Sequence, residues 1–189
     1  MAATEPIRDK GQLRALADYY LQRNQLRNYT LIVMGVYTAL RISDLLQMKW
    51  TDVCDVKKEK FYAHVTIVEQ KTGKQKTIAL NKQILNALHE YFPERHGEYI
   101  FSSKRSENAI SRVQAWRIIH EAVVNVGISD KVSCHSLRKT WGYHAWTSGN
   151  VSPVVIMNIY NHSNFEVTKR YLGVAQDDLD RAYLKMDLL

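Results

Sequence analysis

The chain has 189 residues, a length that suits one domain with a sizeable hydrophobic core and is short for two. Hydrophobic residues make up 46% of it and charged residues 24%, which excludes the compositions typical of disordered and fibrous proteins. The 26 Lys and Arg residues outnumber the 19 Asp and Glu residues, and the resulting net charge of +7 favours a polyanionic partner such as nucleic acid.

Two features of the sequence bear on the compartment. The two cysteines, Cys54 and Cys134, lie in unlike contexts, which excludes a disulfide framework and a paired metal-ligand spacing. The longest apolar run, residues 31–40, is too short to span a bilayer, and the N-terminus lacks the regions of a signal peptide. The sequence therefore predicts a cytoplasmic protein.

The first third of the chain has the spacing of helices. Apolar residues recur at three and four positions over 9–24 and 26–40, which predicts two helices joined near residues 23–25. A short helix is expected to follow at 42–48.

The period then changes to that of strands. Residues 60–70 and 74–80 are rich in β-branched and aromatic side chains, and the KTGK sequence at 71–74 is typical of a turn. The pattern predicts a β-hairpin with lysines at its tip.

Helical signals return in the second half of the chain. The predicted helices cover residues 81–92 with Pro93 as a stop, 110–127 ending at Gly127, 135–149 ending at Gly149, and a segment that starts at Ser152 and Pro153. No repeat, low-complexity tract or linker interrupts the chain. The predicted fold is mainly α with a small antiparallel β-sheet (α+β), in one continuous domain over residues 1–189.

Some residue types in the chain suit phosphodiester chemistry. Cleavage without a metal needs fixed cations on the non-bridging oxygens, an acid for the leaving oxygen and a nucleophile held in line. Arginine meets the first need because its planar fork binds two phosphate oxygens and stays charged. The candidate residues lie in separate segments, and they are Arg41, Lys71, His135, Arg138, His162 and Tyr171.

Local motifs around these residues resemble those of the tyrosine recombinases, also called phage integrases. The sequence TALRISDLLQMKW at 38–50 resembles the family's G-L-R-x-S-E-L segment, and HSLRKTWGYHAWTSG at 135–149 is similar to its H-x-L-R-H-T helix. The sequence NIYNHSNFEVTKRYL at 158–172 resembles the L-L-G-H segment, which a nucleophilic tyrosine follows nine residues after the histidine. The resemblance covers about Thr38 to about Gly173, and it implies a tyrosine recombinase catalytic-domain fold.

The resemblance also implies a site-specific DNA recombinase in which each candidate residue has a role. Tyr171 would attack the scissile phosphate, form a 3′-phosphotyrosyl link and release a 5′-hydroxyl, with Lys71 as the acid for the leaving oxygen. Arg41 and Arg138 would bind the non-bridging phosphate oxygens, and Asp44 would orient Arg41. His135 would assist proton transfer from the tyrosine, and His162 would hydrogen-bond the phosphate. The scheme requires neither a metal nor a nucleotide cofactor.

Two departures from the family pattern lie next to these residues. Ala39 and Asn161 each replace a glycine that is usual in the family. Asparagine tolerates a left-handed backbone, so the second change is mild, whereas Ala39 could alter the start of the helix that follows Arg41.

Several alternatives remain open from the residues alone. Lys74 is a rival to Lys71 in the same turn, and Tyr143, Tyr160 and Tyr183 are weaker candidates for the nucleophile. A zinc site of Cys134, His135 and His162 lacks the usual ligand spacing. At the level of function, the alternatives are type IB topoisomerase-like relaxation of DNA and a non-catalytic DNA-binding regulator.

The sequence also predicts how the domain meets its partners. The expected partners are double-stranded DNA, further copies of the chain in a tetramer on DNA, and DNA-bending accessory proteins, which would associate the protein with the nucleoid. The residues expected to follow the DNA backbone are Lys104, Arg105, Arg112 and Arg117, whereas Trp116, Val113, Ile119 and Val123 are predicted to lie in the core.

The two ends of the chain carry further expectations. Residues 175–189 form an amphipathic tail, with Leu179, Tyr183 and either Leu184 or Met186 on one face, that is predicted to pack on a neighbouring protomer. Only about forty residues precede Arg41, so the N-terminal helical domain common in the family is expected to be absent.

Overall fold

The computed structural model describes residues 4–128, 131–162, 164–172, 183–184 and 186, and for residues 170 and 171 it describes the backbone alone. The helices are α1 (Lys10–Leu21), α2 (Leu26–Tyr37), α3 (Ile42–Leu46), α4 (Trp50–Val53), α5 (Lys82–Tyr91), α6 (Arg112–Val126), α7 (Cys134–Thr147), α8 (Pro153–Tyr160) and α9 (Phe165–Leu172). The strands are β1 (Cys54–Asp55), β2 (Lys60–Phe61), β3 (His64–Val68) and β4 (Gln75–Ala79). The predicted fold class, mainly helical with little sheet, is confirmed.

Two helix ends, the start of α8 and the end of α6, lie where the sequence signals place them. Ser152 caps α8 by accepting a hydrogen bond from the Val155 amide, and Pro153 is the first helical residue. Gly127 ends α6 with φ of 72°, a left-handed conformation that glycine adopts without steric cost. Pro93 does not simply stop α5, because it lies in a 3₁₀ turn, Phe92–Glu94, that continues the helix.

In the described part of the chain, the four strands form two separate antiparallel ladders. β3 and β4 are the predicted hairpin, with pairs from His64 and Ala79 to Val68 and Gln75, and Gly73 in the turn has φ of 65°. The second ladder, β1 with β2, was not predicted. The predicted strand at 60–70 is in fact two strands, because the chain bends at residue 63 and the first two residues pair back onto β1.

The main core forms around α2. All residues of α2 from Thr30 to Val36 are buried, and the helix packs against α1, α5 and α7. Such a helix, surrounded on nearly every side, reads as a continuous apolar run in the sequence.

The core prediction for α6 is half right. Ile119 and Val123 are buried, as predicted, but Val113 is 58% exposed and Trp116 is 45% exposed, so for these two the prediction was wrong. The inward stripe of α6 is Ala115, Ile118, Ile119, Ala122 and Val123. Val113 and Trp116 belong to a second apolar stripe with helical spacing, and it faces outward.

A smaller core lies between the end of α2 and helices α8 and α9. Its buried members are Ala39, Ile156, Tyr160 and Leu172. Gly142 of α7 lets Tyr160 approach the helix backbone, since a Cβ atom there would lie 2.3 Å from the tyrosine hydroxyl. This close contact sets α7 directly against α8. None of the described helices is long and apolar enough to cross a membrane.

Candidate active site

Arg41 stands at the start of α3, in the extended conformation that precedes the helix. Its Nη1 atom lies 3.0 Å from Oε2 of Glu69 and 4.0 Å from Oδ2 of Asp44. Glu69 is therefore the closer ionic partner, although the sequence suggested Asp44. The Arg41 side chain is 20% exposed, so part of it remains accessible from outside.

The backbone before Arg41 has the left-handed conformation that glycine adopts most easily. Ala39 has φ of 53°, in the left-handed region, and is buried. Its carbonyl accepts a hydrogen bond from Nη1 of Arg138. The replacement of glycine by Ala39 has therefore not moved the backbone out of the left-handed region there, and the arginine holds the segment in place.

Asp44 connects α3 to the hairpin. Its Oδ1 atom accepts a hydrogen bond of 3.0 Å from the amide of Gln70, directly before the lysine turn. Asp44 thus fixes the beginning of that turn as well as lying near Arg41.

Arg138 of α7 is the largest fully buried side chain described, with 1% of its surface exposed. Its Nη2 atom donates to the carbonyl of Tyr160 at 3.1 Å, and the hydroxyl of Tyr160 donates to the Arg138 carbonyl at 2.7 Å. The guanidinium carbon also lies 4.7 Å from the centre of the Tyr160 ring. Arg138 therefore joins the end of α8 to the segment before α3.

His162 follows α8 in a tight turn. Asn161 has φ of 54°, which is the left-handed conformation expected where the family has glycine. The His162 ring stacks on Tyr160, with centroids 5.2 Å apart, and its Nδ1 atom lies 3.1 Å from the hydroxyl of Thr168. The turn and α9 thus fix the orientation of the imidazole.

The electrostatics show that these side chains share one site. Burial, together with the charges of Lys139, Arg138 and Arg41, lowers the pKa of His135 to about 4. Burial and the charges of Arg138 and Arg41 also lower the pKa of His162 to about 4. Both imidazoles are therefore neutral at pH 7, and each is able to accept a proton or a hydrogen bond.

Two charged residues of the site were missed at the level of sequence. Glu69 is completely buried, and Lys76 of β4 donates to the carbonyl of Ile159 at 2.8 Å. Burial and the charge of Arg138 lower the pKa of Lys76 to about 8, although Glu69 acts in the opposite direction. Their positions in the sequence could have indicated them. Both continue the alternation of inward-facing residues in β3 and β4, where charged residues are unusual.

Lys71, by contrast, is exposed at the tip of the hairpin, as is its rival Lys74. Residue 71 immediately precedes Thr72, whose hydroxyl donates to Glu69 at 2.9 Å. The turn is thus attached to the site through Thr72, while the choice between the two lysines stays a prediction.

Tyr171 lies on α9, three residues after Thr168, and its side chain is outside the described part of the structure. Its backbone therefore lies one helical turn beyond the residue that contacts His162. The role of Tyr171 as nucleophile stays a prediction.

The zinc alternative is not favoured by the chemistry of Cys134. Burial raises the pKa of this thiol to about 11, whereas zinc binds the thiolate. Within the described ranges, no group of three His, Cys, Asp or Glu side chains is placed to hold a metal ion.

A mainly helical fold that gathers two arginines and two histidines beside a tyrosine-bearing helix defines the catalytic domain of a tyrosine recombinase. The chain belongs to the phage integrase family, whose model matches residues 9–177. It is 34% identical over 184 residues to the probable integrase/recombinase YoeC of Bacillus subtilis, and the match covers 97% of both chains. Several other curated tyrosine recombinases are longer, and the chain spans 45% to 60% of their length.

Solved structures show the same fold. The XerA recombinase superposes with a TM-score of 0.79 at 18% identity, covering 99% of this chain and 66% of the other. A lambda integrase dimer bound to a core site superposes with a TM-score of 0.71 at 18% identity, covering 100% of this chain and 52% of the other.

Proposed function

We propose that the chain is a site-specific DNA recombinase that cleaves and rejoins duplex DNA through a 3′-phosphotyrosyl intermediate. The observation that carries this proposal is the meeting of Arg41, His135, Arg138 and His162 in one centre, although they are up to 121 positions apart in the sequence. Helix α9, which carries Tyr171, packs on both α7 and α8.

The two arginines act on the scissile phosphate. In this scheme both arginines bind non-bridging oxygens and offset the charge that grows in the transition state. Arg41 is accessible, whereas the buried guanidinium of Arg138 has to become exposed to the phosphate when DNA binds. In the DNA-free protein the carbonyls of Ala39 and Tyr160 hold Arg138 in place.

The proton transfers follow from the neutral histidines. The Tyr171 oxygen attacks phosphorus while its proton passes toward neutral His135, and the bond from phosphorus to the 5′-oxygen breaks. Lys71 gives a proton to the departing 5′-oxygen, and His162 hydrogen-bonds a phosphate oxygen. Rejoining reverses these steps with a 5′-hydroxyl from the partner strand.

The DNA is expected to lie across α6 and the loop before it. Lys104, Arg105, Arg112 and Arg117 are all exposed there. Trp116 is exposed beside them and stacks on His120, with ring centroids 4.9 Å apart and planes 9° apart. Basic side chains around an exposed tryptophan suit contact with the phosphate backbone and sugars. The lambda integrase neighbour bound to a core site supports this use of the fold.

Recombination also implies partners. The proposal includes double-stranded DNA, a tetramer of the chain on that DNA, DNA-bending accessory proteins and a cytoplasmic, nucleoid-associated location. In the tail, Tyr183, Leu184 and Met186 are 81%, 86% and 69% exposed, which is compatible with packing on a neighbouring protomer. The rest of residues 175–189, with Leu179, lies outside the described residues.

The relatives favour recombination over the alternatives. The relatives described above are named recombinases or integrases. Which outcome the chain catalyses, among integration, excision and inversion, depends on its DNA sites.

The proposal is tested by trapping the covalent intermediate. Wild-type protein is mixed with a supercoiled plasmid that carries the DNA flanking its gene, in EDTA, and the reaction is stopped with SDS. We expect a covalent protein–DNA adduct with the wild type and none with Tyr171→Phe, which should still bind DNA. Tyr62→Phe is the matched control, since Tyr62 is exposed on the segment between β2 and β3. An adduct of normal yield from Tyr171→Phe would contradict the proposal.

A further inference from the structure

Glu69 is an unusual residue for the place it occupies. It directly follows β3 and continues the inward-facing phase of Val65 and Ile67, where an apolar side chain is expected. It is completely buried, and burying an isolated carboxylate costs several kcal/mol unless donors surround it. If Glu69 served packing alone, a hydrophobic side chain of similar volume could take its place without a loss of stability.

Two hydrogen-bond donors and one cation, from three different segments, meet at one oxygen of Glu69. Oε2 accepts hydrogen bonds from Thr72 in the lysine turn at 2.9 Å and from Asn161 in the turn before His162 at 3.0 Å. Nη1 of Arg41 lies 3.0 Å from the same oxygen. Burial raises the pKa of Glu69, but these donors outweigh it and the net pKa is below its ordinary value, so the group is a carboxylate at neutral pH.

The contact with Arg41 leaves the arginine able to act on a substrate. Nη1 is close to the carboxylate but not aligned for a hydrogen bond with it, and among the described residues it has no other hydrogen-bond partner. The carboxylate therefore holds the buried Nη1 end of the guanidinium in one place, and the exposed 20% of the Arg41 side chain remains accessible to a substrate.

The hairpin has a second attachment that does not involve Glu69. Lys76, paired with Ile67 in the β3–β4 ladder, donates to the carbonyl of Ile159 near the end of α8. Asp44 also holds the Gln70 amide. The hairpin should therefore stay docked when the Glu69 carboxylate is lost, and what changes is the orientation of the groups that it binds.

We propose that Glu69 is a positioning residue for the recombination reaction. Its carboxylate fixes Arg41 relative to the turn that carries His162, and through Thr72 it ties the lysine turn to both. This inference rests on the proposed function and deepens it, since it explains how groups from three segments keep one geometry before DNA arrives.

The test uses Glu69→Gln, which removes the charge at constant shape, and Glu69→Asp, which keeps the charge and withdraws it by one methylene. The matched control is Glu98→Gln, because Glu98 is also ion-paired, at 2.9 Å to Lys49, but its side chain is 57% exposed. Adduct formation is measured on the plasmid described above, together with DNA affinity and thermal unfolding.

We expect both Glu69 variants to fold and to bind DNA like the wild type, and to form adduct about 10- to 100-fold more slowly. Glu98→Gln should match the wild type. In the double variant Glu69→Gln with Asn161→Ala, the loss should be smaller than the product of the two single losses, because both changes break one contact. Wild-type adduct rates in both Glu69 variants, or fully multiplicative losses, would overturn the proposal.

A second readout separates this inference from the proposed function. Glu69→Gln should shift the side-chain amide resonances of Asn161 and the titration of His162 in NMR spectra of the DNA-free protein, because both groups sense the carboxylate. If the wild type formed no adduct, the proposed recombinase function would fail, while these spectra would still decide the role of Glu69 in holding Asn161 and the turn before His162. Unchanged resonances in Glu69→Gln would refute that role.

Discussion

The charge state of His135 and His162 follows from what surrounds them. Each is partly buried beside Arg138 and Arg41, and His135 also feels Lys139, so protonation would add a cation to a cationic site. A site prepared for a phosphate is positively charged before the phosphate arrives, and neutral imidazoles are the consequence. The same feature makes the folded protein sensitive to acid.

We predict that the free energy of unfolding falls as the pH is lowered from about 6.5 to about 4. Both histidines have folded-state pKa values of about 4, below the value of about 6.5 in an unfolded chain. In this window the unfolded state binds more protons, so acid favours unfolding, and the stabilising contribution is complete only above pH 6.5. Since both groups are partly exposed and screened, the loss should be about 1 kcal/mol for each.

Urea unfolding of the DNA-free protein at several pH values measures this effect. The double variant His135→Asn with His162→Asn should flatten the dependence between pH 4 and 6.5. His144→Asn serves as a comparison, because burial also lowers the pKa of His144, whose ring contacts the Ile7 carbonyl and whose pKa is not affected by Arg41 or Arg138. If the double variant kept the full slope, the histidines of the site would not be its source.

At the scale of elements, the β3–β4 hairpin contains three lysines in different environments. Lys71 and Lys74 are exposed in the turn, whereas Lys76 is half-buried on β4 and bound to the Ile159 carbonyl. An exposed lysine on a turn can move toward a leaving oxygen when DNA binds. Lys76 already has a structural partner, which favours a docking role for it.

This difference predicts distinct responses to a substrate with sulfur at the 5′-bridging position, whose thiolate leaves without needing a proton. Lys71→Ala should slow cleavage of ordinary DNA by about 100-fold or more, and the sulfur substrate should restore the rate, because only the acid is missing. Lys74→Ala should remain near the wild type. Lys76→Ala should be slow on both substrates, since a loosened hairpin is not repaired by a better leaving group.

Single-turnover adduct formation on the two substrates gives the rates to compare. If the sulfur substrate restored the cleavage rate of Lys76→Ala but not that of Lys71→Ala, Lys76 would be the acid. Its pKa of about 8 would suit that role, so the experiment discriminates between two physically reasonable assignments.

At the scale of the whole molecule, local signals account for most of the fold. Caps and glycines such as Ser152 and Gly127 act within one turn of chain, so the sequence locates the helices they bound. The β1–β2 ladder escaped prediction because strands of two residues show no periodicity. The two apolar stripes of α6 both have helical spacing, and only packing against the rest of the chain decides that Trp116 faces outward.

The site was predictable to the extent that motifs carry it. Arg41, His135, Arg138 and His162 were predicted from motifs that resemble those of the family. The structure places their charges close enough to affect one another, and their catalytic roles stay predictions. Glu69 was not found, since its partners at positions 41, 72 and 161 are brought to it only by folding. Supporting residues of this kind have no motif of their own, and the one clue was a carboxylate on the inward phase of a strand.

The exposed cations of α6 and its preceding loop are the part of the +7 charge that we expect to face DNA. Each phosphate neutralised by a lysine or arginine releases counterions, which steepens the dependence of affinity on salt.

We predict that Arg112→Gln with Arg117→Gln weakens DNA binding and lowers the slope of log K against log salt by about 2. The control is Lys57→Gln with Lys58→Gln, an equal change of charge on the exposed β1–β2 turn, which should leave the slope unchanged. Fluorescence anisotropy with labelled duplex DNA at several salt concentrations gives both slopes, and equal slopes for the two double variants would show that α6 does not follow the DNA backbone.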